Sequence, residues 1–320
     1  MKRLLVFSFL FVLLTSFNSE KTPDSWIGTN QLVNFSNSPK VAAWISKADK
    51  LKNYRLIDSA TTTGIFKDNA GRSFGKRVPG DESLKKTVTD QFGAIIRGDT
   101  TKKMIALVFT GDEFADGGAH IRKTLRAEKV KSSFFLTGRF YSNKEFKPII
   151  QKLKADGHYL GAHSDDHLLY CDWVKRDSLL VTQQQFSDDL KGNYRRMEKF
   201  GILKADAPYF LPPYEWYNAS IVDWTAQQGL RLVNFSPGTR STADYTYPQL
   251  GKSYRSSNEI YESIVNLEKK DPNGLNGFIL LVHIGTDPRR TDKFYLRLQG
   301  LIKELKGRGY AFERIDEMLN

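Results

Sequence analysis

Two histidines, His163 and His167, stand four apart in "GAHSDDHLLY" with two aspartates between them. The whole 320-residue chain holds only five histidines. Neutral imidazole is a common ligand for a divalent ion. A four-residue spacing puts both rings on one face of a helical turn, so the pair predicts a shared ion. Two more segments carry matching chemistry. "MIALVFTGDE" ends in Asp112 and Glu113, and "GFILLVHIG" contains His283. Two histidines and one carboxylate leave an ion open to water and substrate. The ion polarises a carbonyl oxygen and lowers the pKa of bound water. A second carboxylate can take the proton from that water, and a histidine on the opposite wall can protonate the leaving group. Asp112, Glu113, His163, His167 and His283 together equip a site for metal-assisted hydrolysis of an amide or ester. The donor set accepts zinc, cobalt or nickel, with zinc the default.

These groups need a scaffold that brings them to one place. From residue 104 the chain alternates short apolar runs with helical periods. Strands are predicted at 104–110, 132–138, 158–163, 208–213, 230–236, 277–285 and 310–315. Helices are predicted in "GGAHIRKTLRAEKV", "NKEFKPIIQKLKADG", "TQQQFSDDLKGNYRRMEKFG", "NASIVDWTAQQG", "SSNEIYESIVNLEKK" and "DKFYLRLQGLIKELKGRG", several of them stopped by glycine. Strand alternating with helix means parallel β/α units. Function then gathers at the C-terminal strand ends. Asp112 and Glu113 follow the first strand, His163 and His167 the third, and Pro212, Pro213 and Tyr214 the fourth. Arg240 and Asp244 lie in the loop after the fifth strand, and His283 ends the sixth.

Four motifs, "TGDE", "HSDDH", "LPPY" and "LVH", fall in the order seen in one family. The chain resembles the polysaccharide deacetylases, the NodB-homology domains of carbohydrate esterase family four. Their motifs read Thr-Phe-Asp-Asp, His-Ser/Thr-x-x-His, Arg-x-Pro-Tyr and Leu-x-His. The resemblance spans about residues 94–317. It implies a distorted, incomplete (β/α) barrel of about seven parallel strands. It implies Asp112 as catalytic base and His283 as general acid. Glu113, His163 and His167 would be the metal ligands. Tyr214, next to Pro213, would hold the oxyanion through its backbone N–H, and Leu281 would line the pocket for the acetyl methyl. The substrate class would be an acetylated polysaccharide. Three departures stand out. Glu113 replaces an aspartate, so Asp112 and Glu113 could exchange roles. Gly111 replaces phenylalanine, which predicts an unusual path for "GDEFADGG". Leu211 replaces the arginine that braces the base, and Arg240 with Asp244 is the candidate substitute. A glycan-binding relative with impaired catalysis is the alternative reading that Leu211 supports.

The remaining totals bound the partners. The net charge of +12 favours an anionic polymer, yet no basic run is dense and no DNA-binding pattern occurs, which argues against nucleic acid. Met1-Lys2-Arg3 followed by "LLVFSFLFVLL" reads as an export signal over residues 1–19, too short to span a bilayer. The mature protein is thus expected to be exported, periplasmic or extracellular, and not inserted in a membrane. Residues 20–93 read as an extension packed on the main domain, with a short helix in "KVAAWISKADKL". Cys171 is the single cysteine and reads as packing. Tyr170, Trp173, Trp216, Tyr217, Tyr245 and Tyr247 are candidates to line a sugar groove, and Asp116, Asp165 and Asp166 read as supporting or solvated acids.

Overall fold

The computed structural model describes residues 86–320. The expected signal segment and most of the extension, including "KVAAWISKADKL", lie outside the described residues. The strands are β1 (Val88–Thr89), β2 (Ile95–Arg97), β3 (Met104–Gly111), β4 (Ser133–Leu136), β5 (Tyr159–Ala162), β6 (Tyr209–Phe210), β7 (Arg231–Leu232), β8 (Phe278–His283) and β9 (Ala311–Glu313). The helices are α1 (Gly118–Ala127), α2 (Gly138–Ser142), α3 (Lys147–Ala155), α4 (Gln183–Glu198), α5 (Ala219–Gln227), α6 (Ser257–Lys270), α7 (Leu298–Gly307) and α8 (Ile315–Met318).

One sheet runs β1-β2-β8-β3-β4-β5-β6-β7, with β9 beside the start of β3. All seven predicted strands form, and each of their pairings is parallel. The sheet is nevertheless mixed, because β2 joins β8 and β1 joins β2 antiparallel. The sheet curls until its ends meet. Ile95 bridges Val233, Asn234 N donates to Ile95 O (2.8 Å), and Ser236 N donates to Ile279 O (3.0 Å). The distorted barrel therefore closes through three residues of chain past β7, Val233, Asn234 and Ser236, rather than through a full ladder.

Burial explains the strand lengths. β3, β4, β5 and β8 are apolar on both faces and sheathed by helices, as parallel strands require. Phe109 stacks on Phe134 at 4.8 Å in the centre. β6 and β7 shrink to two residues each, since the prolines after Leu211 cannot donate to a ladder. Capping fixes the long helices. Thr182 and Gln185 box the start of α4, and Ser256 and Glu259 that of α6. α3 begins later than its predicted asparagine. Pro148 suits the first turn, while Asn143 ends the unforeseen α2 and turns the chain through its side chain to Glu145 N (3.0 Å).

At the rim opposite the strand C-terminal ends, His158 is buried before β5. Its Nδ1 accepts from Ser132 N at 3.2 Å, so Nε2 carries the proton and has no partner among the described residues. Burial, aided by Lys131, pulls this imidazole down to about 4. An unfolded histidine titrates near 6.5, so the unfolded chain takes up the extra proton between those values. Stability should fall as pH falls from about 6.5 to 4, by about 3 kcal/mol from this group. His158→Asn keeps an acceptor for Ser132 and removes the titration. Denaturant unfolding across this range should show a shallower pH slope for the variant; parallel slopes would refute the assignment.

Candidate active site

β3 runs unbroken through Gly111, which pairs with Leu136 of β4. A Cβ at 111 would stand 2.7 Å from Ile284 Cγ2 and 2.8 Å from Leu136 Cδ2. The residue is glycine because nothing larger fits, and the unusual path expected for this stretch does not begin there. Register then sets Asp112 beside Thr137. Thr137 Oγ1 donates to Asp112 Oδ1 at 2.8 Å. Arg139 Nε donates to the same oxygen at 3.0 Å, and Arg139 Nη2 grips Oδ2. This is a bidentate, charge-assisted brace. Thr137 also accepts from Phe140 N (3.1 Å) as the cap of α2, which places Arg139 in the first turn of that helix.

The arginine expected at this place was Arg240, partnered by Asp244. The structure puts Arg139 there instead. Arg240 opens the short turn at Ser241–Tyr245 with a left-handed backbone (φ 54°), and Asp244 engages His283. The missed signal was "LTGR": a helix cap directly after a buried strand, with an arginine in its first turn.

His163 and His167 do come together, at a ring-centroid separation of 5.1 Å. They lie on an irregular loop, not on the helical turn the spacing predicts. Ser164 and His167 take left-handed backbone, with φ 76° and 54°. α4 holds this loop from below with two residues one turn apart. Asn193 Oδ1 accepts from His163 N (2.8 Å) while its Nδ2 donates to Leu136 O (3.2 Å). Asp189 Oδ1 accepts from the backbone of Asp165 and Asp166, and its Oδ2 accepts from Tyr170 OH (2.6 Å). His163 Nδ1 donates to Leu211 O at 2.7 Å, leaving Nε2 to the site. The residue in the arginine's position thus orients a histidine through its backbone. Burial, and next the neighbouring His167, hold His163 well below the ordinary histidine range. Burial pulls His167 down to about 4, against the pull of Asp112. Both imidazoles are therefore neutral, the form that binds a metal.

The carboxylate that should complete such a set is not drawn in. Asp112 Oδ2 lies 3.9 Å from His167 Nδ1 but is engaged by Arg139. Glu113 is exposed. No three His, Cys, Asp or Glu side chains among the described residues are placed to hold a metal. The imidazoles fit a metal; the third donor does not fit as positioned.

His283 ends β8 across the rim. Its Nδ1 donates to Asp244 Oδ1 at 2.6 Å, and its backbone N donates to Asp244 Oδ2 at 2.8 Å. Burial alone would lower this imidazole, but the Asp244 carboxylate and, further off, Glu215 raise it above the usual range. Glu215 escaped the sequence reading. It follows Tyr214, and both take left-handed backbone (φ 53° and 59°), which costs about 1–2 kcal/mol per residue. Asn234 Nδ2 donates to Glu215 O (3.1 Å) and Glu215 N donates to Pro212 O (3.1 Å), fixing the conformation. Burial pushes the Glu215 carboxyl up to about 7, with His283 acting against it.

Tyr214 packs on His167 (4.4 Å) and Trp173 (5.4 Å). Pro213 and Leu281 are buried, Leu281 within β8 opposite Val108. Of the expected groove aromatics only Trp173 and Tyr245 are half-exposed; Tyr170, Trp216, Tyr217 and Tyr247 are buried in packing roles. Cys171 is likewise buried and free. Asp165 pairs with Arg196 (3.5 Å) behind the histidines. Asp116 ties the loop after β3 to that after β8, accepting from Thr286 N (2.8 Å) and pairing with Lys293 (3.0 Å). The two loops touch at backbone level. A Cβ on Gly285 would stand 2.4 Å from the Phe114 carbonyl carbon.

The family model for polysaccharide deacetylase matches residues 97–233. The peptidoglycan-N-acetylmuramic acid deacetylase PdaA of Bacillus subtilis is 24% identical over 250 residues, covering 78% of this chain and 83% of that protein. A chitooligosaccharide deacetylase of Azorhizobium caulinodans is 25% identical, covering 62% of this chain and 89% of that one. The crystal structure of Bacillus subtilis PdaA, a family 4 carbohydrate esterase, superposes with a TM-score of 0.54 at 23% identity, over 72% of this chain and 86% of that one. A CE4 family pseudoenzyme from Bacillus anthracis gives 0.56 at 20% identity, over 71% and 69%. Motif order, family match and barrel agree: residues 97–233 form a polysaccharide deacetylase domain, and the chain has the barrel fold seen in carbohydrate esterase family four.

Proposed function

We propose that this chain is an exported, metal-dependent deacetylase that removes N-acetyl groups from a peptidoglycan-like glycan. The observation that carries this is the pair of held groups on one rim: Asp112 in the Arg139–Thr137 brace, and His283 on Asp244. The substrate class draws support from the net charge of +12, which suits an anionic polymer, and from the N-acetylmuramic acid deacetylase among its relatives. Among the described residues no helix is long and apolar enough to cross a membrane.

In this reading Asp112 takes the proton as water attacks the acetyl carbonyl carbon. Arg139 and Thr137 keep its oxygens in one orientation through that transfer. The Tyr214 backbone N–H faces the developing oxyanion, the largest electrostatic demand of acyl transfer. His283 Nε2 then protonates the leaving nitrogen as the C–N bond breaks, releasing acetate and a free amine. Its Nδ1–H bond to Asp244 fixes the tautomer and stabilises the charged ring. His163 and His167 are the residues that would hold a divalent ion, zinc first, which would polarise the carbonyl and acidify the water; Glu113 would join them only by turning in from its exposed position. The exposed third donor supports a second reading, a glycan-binding relative with impaired catalysis.

Acetate release from peptidoglycan, chitooligosaccharides and acetylxylan, after chelation and zinc or cobalt add-back, decides between the two. Metal-restored acetate is expected for the wild type. His163→Ala should lose both activity and bound zinc measured by mass spectrometry, whereas His283→Ala should lose activity and keep the metal. A folded, zinc-loaded wild type that releases no acetate overturns the enzyme reading.

Arg139→Met should cut kcat about 100-fold by freeing the base, while Arg240→Ala should stay within about twofold. Equal effects would remove Arg139 from its role. Glu215→Gln deletes a charge that raises His283. The alkaline limb of the kcat/KM profile, where His283 loses its proton, should therefore move to lower pH. An unmoved limb would contradict the coupling.

A further inference from the structure

Arg290 is the largest fully buried side chain of the described residues, at 0% exposure. It sits seven residues past His283, in the chain leaving β8. A lone buried cation is expensive. Its nearest carboxylate, Asp292, is 3.8 Å away and 40% exposed, and Arg290 Nε has no partner among the described residues. An apolar residue of similar length would avoid both costs. The guanidinium therefore needs a reason, and its remaining contacts supply one.

Arg290 Nη1 donates to the backbone oxygens of Thr246 and of Arg255 (3.0 Å). Arg290 Nη2 donates to Ser257 Oγ (3.1 Å). Thr246 lies two residues past Asp244. It is itself tied, its Oγ1 donating to Ala243 O (2.6 Å) and accepting from Arg255 N (3.2 Å). Asp292 reinforces the same corner, with Oδ2 accepting from Ser257 N (2.5 Å) and Tyr254 OH (3.1 Å). The chain after β8 and the segment 241–257 are thus stitched at two points. One is His283 to Asp244; the other is Arg290 to Thr246, Arg255 and Ser257.

We propose that Arg290 is a positioning residue for the Asp244–His283 pair: its buried fork pins the segment that carries Asp244, and so holds the carboxylate against the imidazole. The planar fork serves two carbonyls from Nη1 and a hydroxyl from Nη2, a spread that the single nitrogen of an ammonium does not have. Its placement on the outgoing chain of the same strand as His283 locks both partners to one frame. The groups bearing on the imidazole are Asp244 and Glu215, which raise it, Arg290, which lowers it, and the ring of Tyr245 at 5.3 Å. His163 and His167 face it across the rim.

The role rests on His283 as proton donor, but its test does not need turnover. The His283 Nδ1–H, held 2.6 Å from Asp244 Oδ1, should give a far-downfield proton signal in the ¹⁵N-labelled full chain. Arg290→Lys keeps the charge and loses the fork. The signal should broaden or move upfield in this variant, and kcat should fall at least tenfold with KM within about twofold. Ser257→Ala removes one arm and should give a smaller change in the same direction; it decides the matter if Arg290→Lys does not fold. An unshifted signal in a folded Arg290→Lys, or in Ser257→Ala when that variant decides, overturns the role. A wild type that shows the signal yet releases no acetate removes the deacetylase reading and leaves the positioning role standing.

Discussion

The carboxylate of Asp112 is held in one direction, and the hold comes from strand register. Gly111 and Leu136 are partners in neighbouring parallel strands. The next residue of each, Asp112 and Thr137, must then emerge side by side. A helix starts at once after Thr137, and its first turn swings Arg139 over the same carboxylate. The family's motif places an arginine beyond β6; here that position is an apolar residue at 0% exposure. Here the positive charge comes from the helix turn directly after β4, the strand paired with β3. The constraint is on the pairing of carboxylate and guanidinium, while the strand that supplies the guanidinium is free to change.

The histidine loop obeys a different rule. It has no secondary structure to order it, and two of its residues sit in left-handed backbone. α4 supplies the missing order. Asp189 collects two backbone N–H groups and a phenol, and Asn193 spans from His163 N to Leu136 O. These bonds satisfy the backbone N–H groups of His163, Asp165 and Asp166, each of which would cost about 1–3 kcal/mol if buried without a partner. The site is therefore assembled by a helix that contributes no reacting atom.

Much of this was legible in the residues. The seven apolar runs and the caps at Thr182 and Ser256 carry local signals, so the strands and helices appeared where expected. The convergence of Asp112, His163, His167 and His283 followed from the strand-end rule. The rest depended on side chains that meet only in three dimensions. Arg139 and Arg240 both follow a strand; the cap at Thr137 set Arg139 apart locally, but only the β3–β4 register shows that it reaches Asp112. Asp244 was noticed, but its partner was misjudged, because spacing cannot say which loop a carboxylate turns toward. Glu215 stands one residue past the "LPPY" motif, where nothing in the sequence shows that the carboxyl turns inward. Four of six aromatics turned inward, since a ring near a strand end is as useful for covering a barrel as for meeting a sugar.

The backbone contact of Gly285 with Phe114 bears on how the groove can breathe. The loop that follows Asp112 and the one that follows His283 have no side chain between them to compress, and Asp116 latches them further. They must travel as one rigid wall. On the facing side the Trp173 segment meets the Tyr214 turn through rings and through side chains reaching across, such as Trp216 Nε1 donating to Asp172 O (3.2 Å) and Arg176 Nε to Tyr217 O (2.6 Å). The wall that carries Asp112 and His283 is thus joined backbone to backbone, whereas the facing side is joined through side chains.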